Sequence, residues 1–238
     1  MKNFTFLLLL FLMVSCSNDD SPKSTQIDAE IPADKKFLSQ LDRFEDDLFF
    51  KYKANGKIDS VKIGTHTNYR IEYEAERVSA VYLSSTRTAS NTYKFSYTPE
   101  GILNGYLILN STTGDIEGYQ PLVYNQQTNS YNDWYFMYSN GTTRKTIIDG
   151  VERTLVYNYT KKGALSNTNY GLMKYLQLID RRAITWEAYV GLYPCEQVIY
   201  IQGPLMMENT YDSQGFISTS HMDATPDNLN ATYNYIQL

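Results

Sequence analysis

Residues 95–103 read FSYTPEGIL, the form of a complete hairpin corner. Phe95, Ser96 and Tyr97 end one strand, Thr98-Pro99-Glu100-Gly101 turn the chain, and Ile102 and Leu103 begin the return. The skeleton is Tyr, three residues, Gly, one residue, then Ile or Leu. It occurs four times: Tyr52/Gly56/Ile58, Tyr97/Gly101/Leu103, Tyr159/Gly163/Leu165 and Tyr211/Gly215/Ile217. In three copies the residue two before Tyr is also aromatic (Phe50, Phe95, Tyr157); in the fourth it is Asn209. The spacing has a physical cause. A type I turn accepts Pro at its second position and Asp at its first, and often carries Gly at its fourth. Pro99 and Gly101 fit the second and fourth places, and Asp212 and Gly215 the first and fourth. A type I turn followed by a left-handed residue is a standard three-residue hairpin loop with a bulge. Gly56, Gly101, Gly163 and Gly215 are therefore expected as structural turns.

Weaker copies fill the gaps. Residues 69–83, YRIEYEAERVSAVYL, have Ile71 and Tyr73 but no Gly. Asn140-Gly141 and Asp149-Gly150 each lie between apolar-rich runs, a strong short-range hairpin signal. These readings predict an all-β domain over residues 35–238. It is an antiparallel meander of successive hairpins forming an extended, twisted or partly rolled sheet. A β-propeller is the alternative, but regular blade lengths are missing. Two segments carry helical spacing. In residues 36–50, Phe37, Leu41, Phe44 and Leu48 fit a helix, yet the same stretch fits a strand pair leading into Phe50 and Tyr52. Residues 171–194 interrupt the hairpins and carry Leu172, Leu176 and Ile179, which predicts a short helical insertion near 172–190 that fits a capping role.

The chain opens MKNFTFLLLLFLMVSC. Lys2 precedes an apolar run from Phe4 to Val14, too short for a bilayer-spanning helix and of signal-peptide size. Met13-Val14-Ser15-Cys16 resembles a lipobox, with Met where Leu is usual, and the following Ser17-Asn18-Asp19-Asp20 resembles the surface-export signal of Bacteroidota lipoproteins. This predicts a lipoprotein signal peptide over 1–15 and lipidation of Cys16, hence a membrane partner through that anchor. Residues 16–34 form a polar, acidic tether reaching roughly 20–25 Å. With Cys16 lipidated, the second of the two cysteines, Cys195, has no cysteine left for a disulfide, so stability rests on the core. The net charge of −5 comes without a visible basic patch, which argues against nucleic acid as a partner. Tyr is in excess, 22 of 238 residues; it favours both strands and binding surfaces.

The Tyr-x-x-x-Gly-x-Leu unit, above all TYDSQGFI at 210–217, resembles the YD repeat of Rhs-type shell proteins. Lipobox, acidic tether, YD-like hairpins and a Tyr-rich last strand (ATYNYIQL) are together similar to Bacteroidota surface lipoproteins of domain-of-unknown-function type. The resemblance implies a β-hairpin fold and an outer-membrane, cell-surface address. It carries no catalytic residue.

Motifs for chemistry are sparse. His66 and His221 stand in unrelated contexts, and there is no His pair, cysteine cluster or Gly-rich phosphate loop, so neither metal nor cofactor is expected. A glycosidase needs two carboxyl groups about 5–9 Å apart. Asp46-Asp47, Glu74, Glu76 and Asp212 are the available acids. Aromatics favour binding: Tyr131, Trp134, Tyr135 and Tyr138 cluster in SYNDWYFMYSNG beside several amides, where a flat ring could stack on a sugar. The same alternation also suits ordinary core packing. Asp59-Ser60-Val61 resembles the three-residue O-glycosylation site of Bacteroidota, which marks Ser60. The expected function is a lipid-anchored envelope protein, not an enzyme, that binds or scaffolds a glycan, a partner envelope protein or a host surface. A surface glycan hydrolase using paired carboxylates is the alternative, and a purely structural shell fragment a third reading.

Overall fold

The computed structural model describes residues 35–43, 46–168, 171–180, 183, 186–224 and 227–238. The expected signal peptide, Cys16 and the tether lie outside the described residues. The first flank runs through β1 (Phe37–Arg43), β2 (Leu48–Tyr52), β3 (Ile58–Ile63), β4 (Thr67–Glu74), β5 (Arg77–Ser85), β6 (Asn91–Tyr97), β7 (Leu103–Asn110) and β8 (Ile116–Pro121). There follow β9 (Tyr124–Asn125), β10 (Ser130–Tyr131), β11 (Tyr135–Met137), β12 (Thr143–Ile148) and β13 (Val151–Tyr157). Helices α1 (Leu172–Ile179) and α2 (Glu187–Val190) precede β14 (Cys195–Tyr200), β15 (Gly203–Tyr211), β16 (Ile217–Ala224) and β17 (Asp227–Ile236).

The corner chemistry explains the ladders. The Gly101 N–H donates to Thr98 O (2.8 Å) and the Thr98 N–H to Ile102 O (2.8 Å). The same two bonds recur at Lys53, Gly56 and Lys57, and at Asp212, Gly215 and Phe216. All three glycines sit at left-handed φ (+77°, +86° and +81°), where a Cβ is costly. The register slips just before each tyrosine, so Tyr52 faces Ile58, Tyr97 faces Leu103 and Tyr211 faces Ile217. The Asn140-Gly141 hairpin uses the same pair of bonds, between Tyr138 and both Gly141 and Thr142. Asp149 and Gly150 both take positive φ, as a type I′ turn requires.

The third corner departs from the hairpin expected of it. Tyr157 pairs with Cys195, and the chain leaves the sheet before Gly163. Gly163 serves close approach instead of reversal. Its N–H donates to Leu192 O (3.1 Å), and a Cβ there would run into Gly191 O. The segment then docks on the fourth corner, with Lys162 N–H donating to Gly215 O and Ile217 N–H to Lys162 O.

Residues 36–50, open between helix and strand pair, are the strands β1 and β2. Leu38 and Leu41 are both buried although three apart, because a bulge between Leu38 and Gln40 resets the alternation. Of the residues that fit a helix, Phe37 and Leu41 are buried in β1, Leu48 is buried at the start of β2, and Phe44 lies outside the described residues.

The ladders run in one series from β8 back through β7 to β1, then to β17 and down through β16 to β10 and β9, antiparallel throughout. The sheet does not close through a ladder. Its two ends, β8 and β9, are successive parts of one extended segment: Leu122 N–H still bonds Asn104 O on the β7 side, and Asn132 N–H bonds Val123 O on the β10 side. Connections alternate between the two ends of the strands, so the Gly56, Gly101, Gly141 and Gly215 turns share one end with the start of β1 and the close of β17. At that corner end five tyrosine hydroxyls repeat one device. Tyr52 bonds Leu38 O, Tyr73 Ile58 O, Tyr97 Val78 O, Tyr157 Thr143 O and Tyr235 Ile217 O, each reaching from a strand's close to the opening residues of its neighbour.

The inside of the roll holds the helical insertion, which fills the sheet rather than capping it. Leu172, Met173, Tyr175, Leu176, Gln177 and Leu178 of α1 are all buried, so no face of α1 is left for solvent alone. The first flank meets it through Phe95 against Tyr175 (4.9 Å, edge to face), Tyr69 against Trp186 and Tyr106 O–H on Leu178 O (3.1 Å). The second flank meets it through Thr143 Oγ1 donating to Gln177 Oε1 (3.1 Å). Trp186 and Tyr189 are core residues.

Candidate functional site

A cavity of 260 Å³ opens beside the β6–β7 corner, between that corner, α1 and strands β9 to β11. Its mouth is marked by Arg77 and Ile102, both exposed; its floor by Leu103, Tyr131 and Tyr175, all buried. The corner places Arg77. The guanidinium lies 5.5 Å from the Tyr97 ring centroid and fills the space that a Cβ on Gly101 would need. Tyr97 is fixed by its hydroxyl, which donates to Val78 O (2.5 Å) and lies within hydrogen-bond distance of the Tyr175 hydroxyl (2.9 Å). Across the cavity Tyr124 and Tyr131 stand with ring centroids 5.1 Å apart, tilted by 45°.

Lys174 reaches in from α1. Its ammonium lies 5.6 Å from the Tyr131 ring centroid and 5.0 Å from that of Tyr175. Burial pushes its pKa down from the usual lysine value. Among the described residues it has no carboxylate partner, and neither has Arg77; the ion pairs formed involve other cations. Burial pushes Tyr131 up to about 12, so its phenol stays a neutral donor at neutral pH. The arrangement thus offers two uncompensated positive charges, aromatic faces and phenolic hydroxyls in one cup. It suits an anion with an apolar face.

Of the four aromatic residues marked in the sequence, Tyr131 lines this cavity and the other three lie apart from it. Tyr135 is fully buried, with its hydroxyl on Thr143 Oγ1 (3.0 Å). Trp134 and Tyr138 are half-buried and packed on the core, and Tyr138 donates to Leu155 O. Ser60 sits within β3, half-buried. Cys195 is buried, its thiol donating to Gln197 O. His66 contacts Asp46 Oδ1 (3.2 Å) and His221 contacts Asn230. Glu74 and Glu76 are exposed at the β4–β5 turn, and Glu76 pairs with Lys57. Asp212 accepts from Lys36 and from two N–H groups of its own turn. Among the described residues no three His, Cys, Asp or Glu side chains are grouped to hold a metal, and no helix is long and apolar enough to cross a membrane.

Arg77, Tyr124, Lys174 and Tyr175 were not marked in the sequence, and Tyr97 was marked only as a corner residue. They are spread over nearly a hundred positions in segments that meet only when the sheet rolls. The signal that could have marked them is Lys174, the one charge on a mostly apolar helix.

No family model matches the chain, and no curated protein matches it. Among solved structures the chain is similar to a porin-like protein from Bacteroides uniformis ATCC 8492, at 12% identity over 84% of this chain and 96% of that one, with a TM-score of 0.40. It is also similar to a porin-like protein from Bacteroides vulgatus ATCC 8482, at 12% identity over 86% of this chain and 100% of that one, with a TM-score of 0.42.

Proposed function

We propose that this protein is a lipid-anchored protein of the outer membrane, exposed on the cell surface of a Bacteroidota bacterium, that binds a glycan without turning it over. The observation that carries the binding reading is the cavity: tyrosine faces and hydroxyls beside Arg77 and Lys174, neither of which is paired with an acid among the described residues. Rings with hydroxyls at their edge suit sugars, which present an apolar face and a polar rim. The N-terminal stretch supports the address. A short apolar core followed by Met13-Val14-Ser15-Cys16 and two acidic residues has the layout of a lipoprotein signal with an export tag. Glycine-cornered hairpins then supply a rigid scaffold at the end of a tether.

Two measurements test this. Cells expressing the protein are labelled with radioactive palmitate; label is expected in the wild type and lost in Cys16→Ala, and label retained in the variant would remove the anchor. The full chain in detergent is then applied to a glycan array, with Tyr131→Ala as the control. Binding that depends on Tyr131 supports the reading. Release of reducing sugar from a bound glycan would replace it with a hydrolase.

A further inference from the structure

We infer that the cavity between the β6–β7 corner and α1 takes an acidic sugar, a pyranose carrying a carboxylate, with Arg77 and Lys174 gripping the acid and the tyrosines facing the ring. This deepens the glycan-binding reading and rests on it. The charge argument comes first. A lysine brought under a roll of tyrosines with no acid beside it among the described residues is unfavourable for folding, since desolvation of an ammonium is costly and the Tyr131 and Tyr175 ring faces offset it only in part. The other face of α1 is occupied by Leu172, Leu176 and Leu178, so an apolar residue at position 174 would fit the local pattern. The depressed pKa of Lys174 reports the same cost. A half-buried charge that costs the fold stability and lines a cavity is a candidate contact for a ligand of opposite sign.

Geometry narrows the ligand. The second cation, Arg77, is held at the mouth by the Tyr97 ring and by the room that Gly101 leaves. One cation at the mouth and one deeper inside fit a carboxylate that enters between them; a planar guanidinium fork matches a carboxylate well. The cavity, at 260 Å³, lies below the roughly 300–1,000 Å³ of sites for drug-sized molecules, so it holds about one ring of a longer chain. Its wall suits that ring: Tyr124 and Tyr131 offer faces at 5.1 Å centroid separation, and the Tyr97 and Tyr175 hydroxyls, 2.9 Å apart, offer polar contacts at the edge.

The experiment is calorimetric titration of the full chain in detergent at neutral pH with trigalacturonate, its methyl ester and a neutral trigalactose. The ester keeps the ring and removes the charge. Binding of the acid is expected, with about tenfold or greater loss for the ester, for Arg77→Met and for Lys174→Met, the size of one charge-assisted contact. Lys174→Met is further expected to melt no lower than wild type, which a lysine serving only structure would not allow. Equal binding of acid and ester would overturn the acidic-sugar inference and leave glycan binding standing. Binding of the acid untouched by either substitution would overturn the placement in this cavity. Failure of all three probes here, with a glycan array that still shows Tyr131-dependent binding of a neutral sugar, would likewise sink only the inference. Silence on the array as well would remove the glycan reading itself. Selective binding of a peptide carboxylate at Arg77 and Lys174 would replace the sugar with a protein partner.

Discussion

Gly101 and Gly215 occupy the same place in the same kind of turn, and comparing them separates two roles of one residue type. Both have left-handed φ, +86° and +81°. A Cβ on Gly215 meets nothing nearby, whereas one on Gly101 meets the Arg77 guanidinium. Alanine at either position should cost about 1–2 kcal/mol for the left-handed backbone. The Arg77 side chain can swing aside, so the stability losses should be similar, within a few tenths of a kcal/mol in urea unfolding. They should differ in function. Gly101→Ala displaces Arg77 and weakens anion binding, while Gly215→Ala leaves binding intact. A much larger stability loss at Gly101 would mean that the guanidinium is locked by contacts beyond Tyr97. The tyrosines show the same division of labour. Their excess in the sequence did not choose between scaffold and surface; the structure assigns five to hydroxyl bonds between strands and gathers others around the cavity.

At the scale of elements the fourth corner carries a pH signature. Burial pushes the Asp212 carboxyl up, but Lys36 at 2.8 Å and the N–H groups of Phe216 and Gln214 outweigh it, so it titrates below the usual aspartate range. A depressed folded-state pKa contributes stability that is present above the unfolded value of about 3.9 and is lost as pH falls through the folded value. The melting temperature of wild type should therefore fall over that acid range more steeply than that of Asp212→Asn, and the two curves should converge at the acid end. Parallel curves would show that the Lys36 contact contributes nothing, as many exposed pairs do. The corners were also the most legible part of the sequence. Tyr, Gly and Ile/Leu at fixed offsets name a turn, a bulge and a facing pair, and three of four copies form that hairpin. The copy at Gly163 shows the limit of local reading. The same residues served a backbone contact with 191–193, which is long-range and leaves no local mark. Residues 36–50 fit both periods, because Phe37, Leu41 and Leu48 have a spacing that suits one helix as well as buried positions of two strands. The cavity was the least legible, because Arg77 and Lys174 come together only through the roll.

The whole molecule has one weak seam, and its place follows from the ladder order. Elsewhere each strand has a partner on both sides; β8 and β9 have one each. Strand β8 is largely exposed, and β9 and β10 are two residues long. Few buried apolar contacts and short ladders mean a low free energy of local opening. The core on the other side is continuous: β4 to β7 bury Tyr69, Ile71, Val81, Tyr93 and Leu103, and Phe95 and Tyr106 of that flank rest on α1. Hydrogen exchange should therefore find amides of 116–125 and 130–131 exchanging about tenfold or more faster than those of β4 to β7. Uniform protection would mean that α1 and the roll hold the seam as firmly as the ladders do. The cavity sharpens this prediction, because its walls come from both sides of the seam: Arg77, Tyr97 and Leu103 from the first flank, Tyr124, Tyr131 and Met137 from the second. A ligand seated there joins the two flanks where no ladder does. Saturating trigalacturonate should slow exchange across 122–131 and leave the β15–β16 amides unchanged, since those lie in continuous sheet remote from the cavity. Protection appearing in β15 and β16 instead would place the ligand on the opposite wall of the roll.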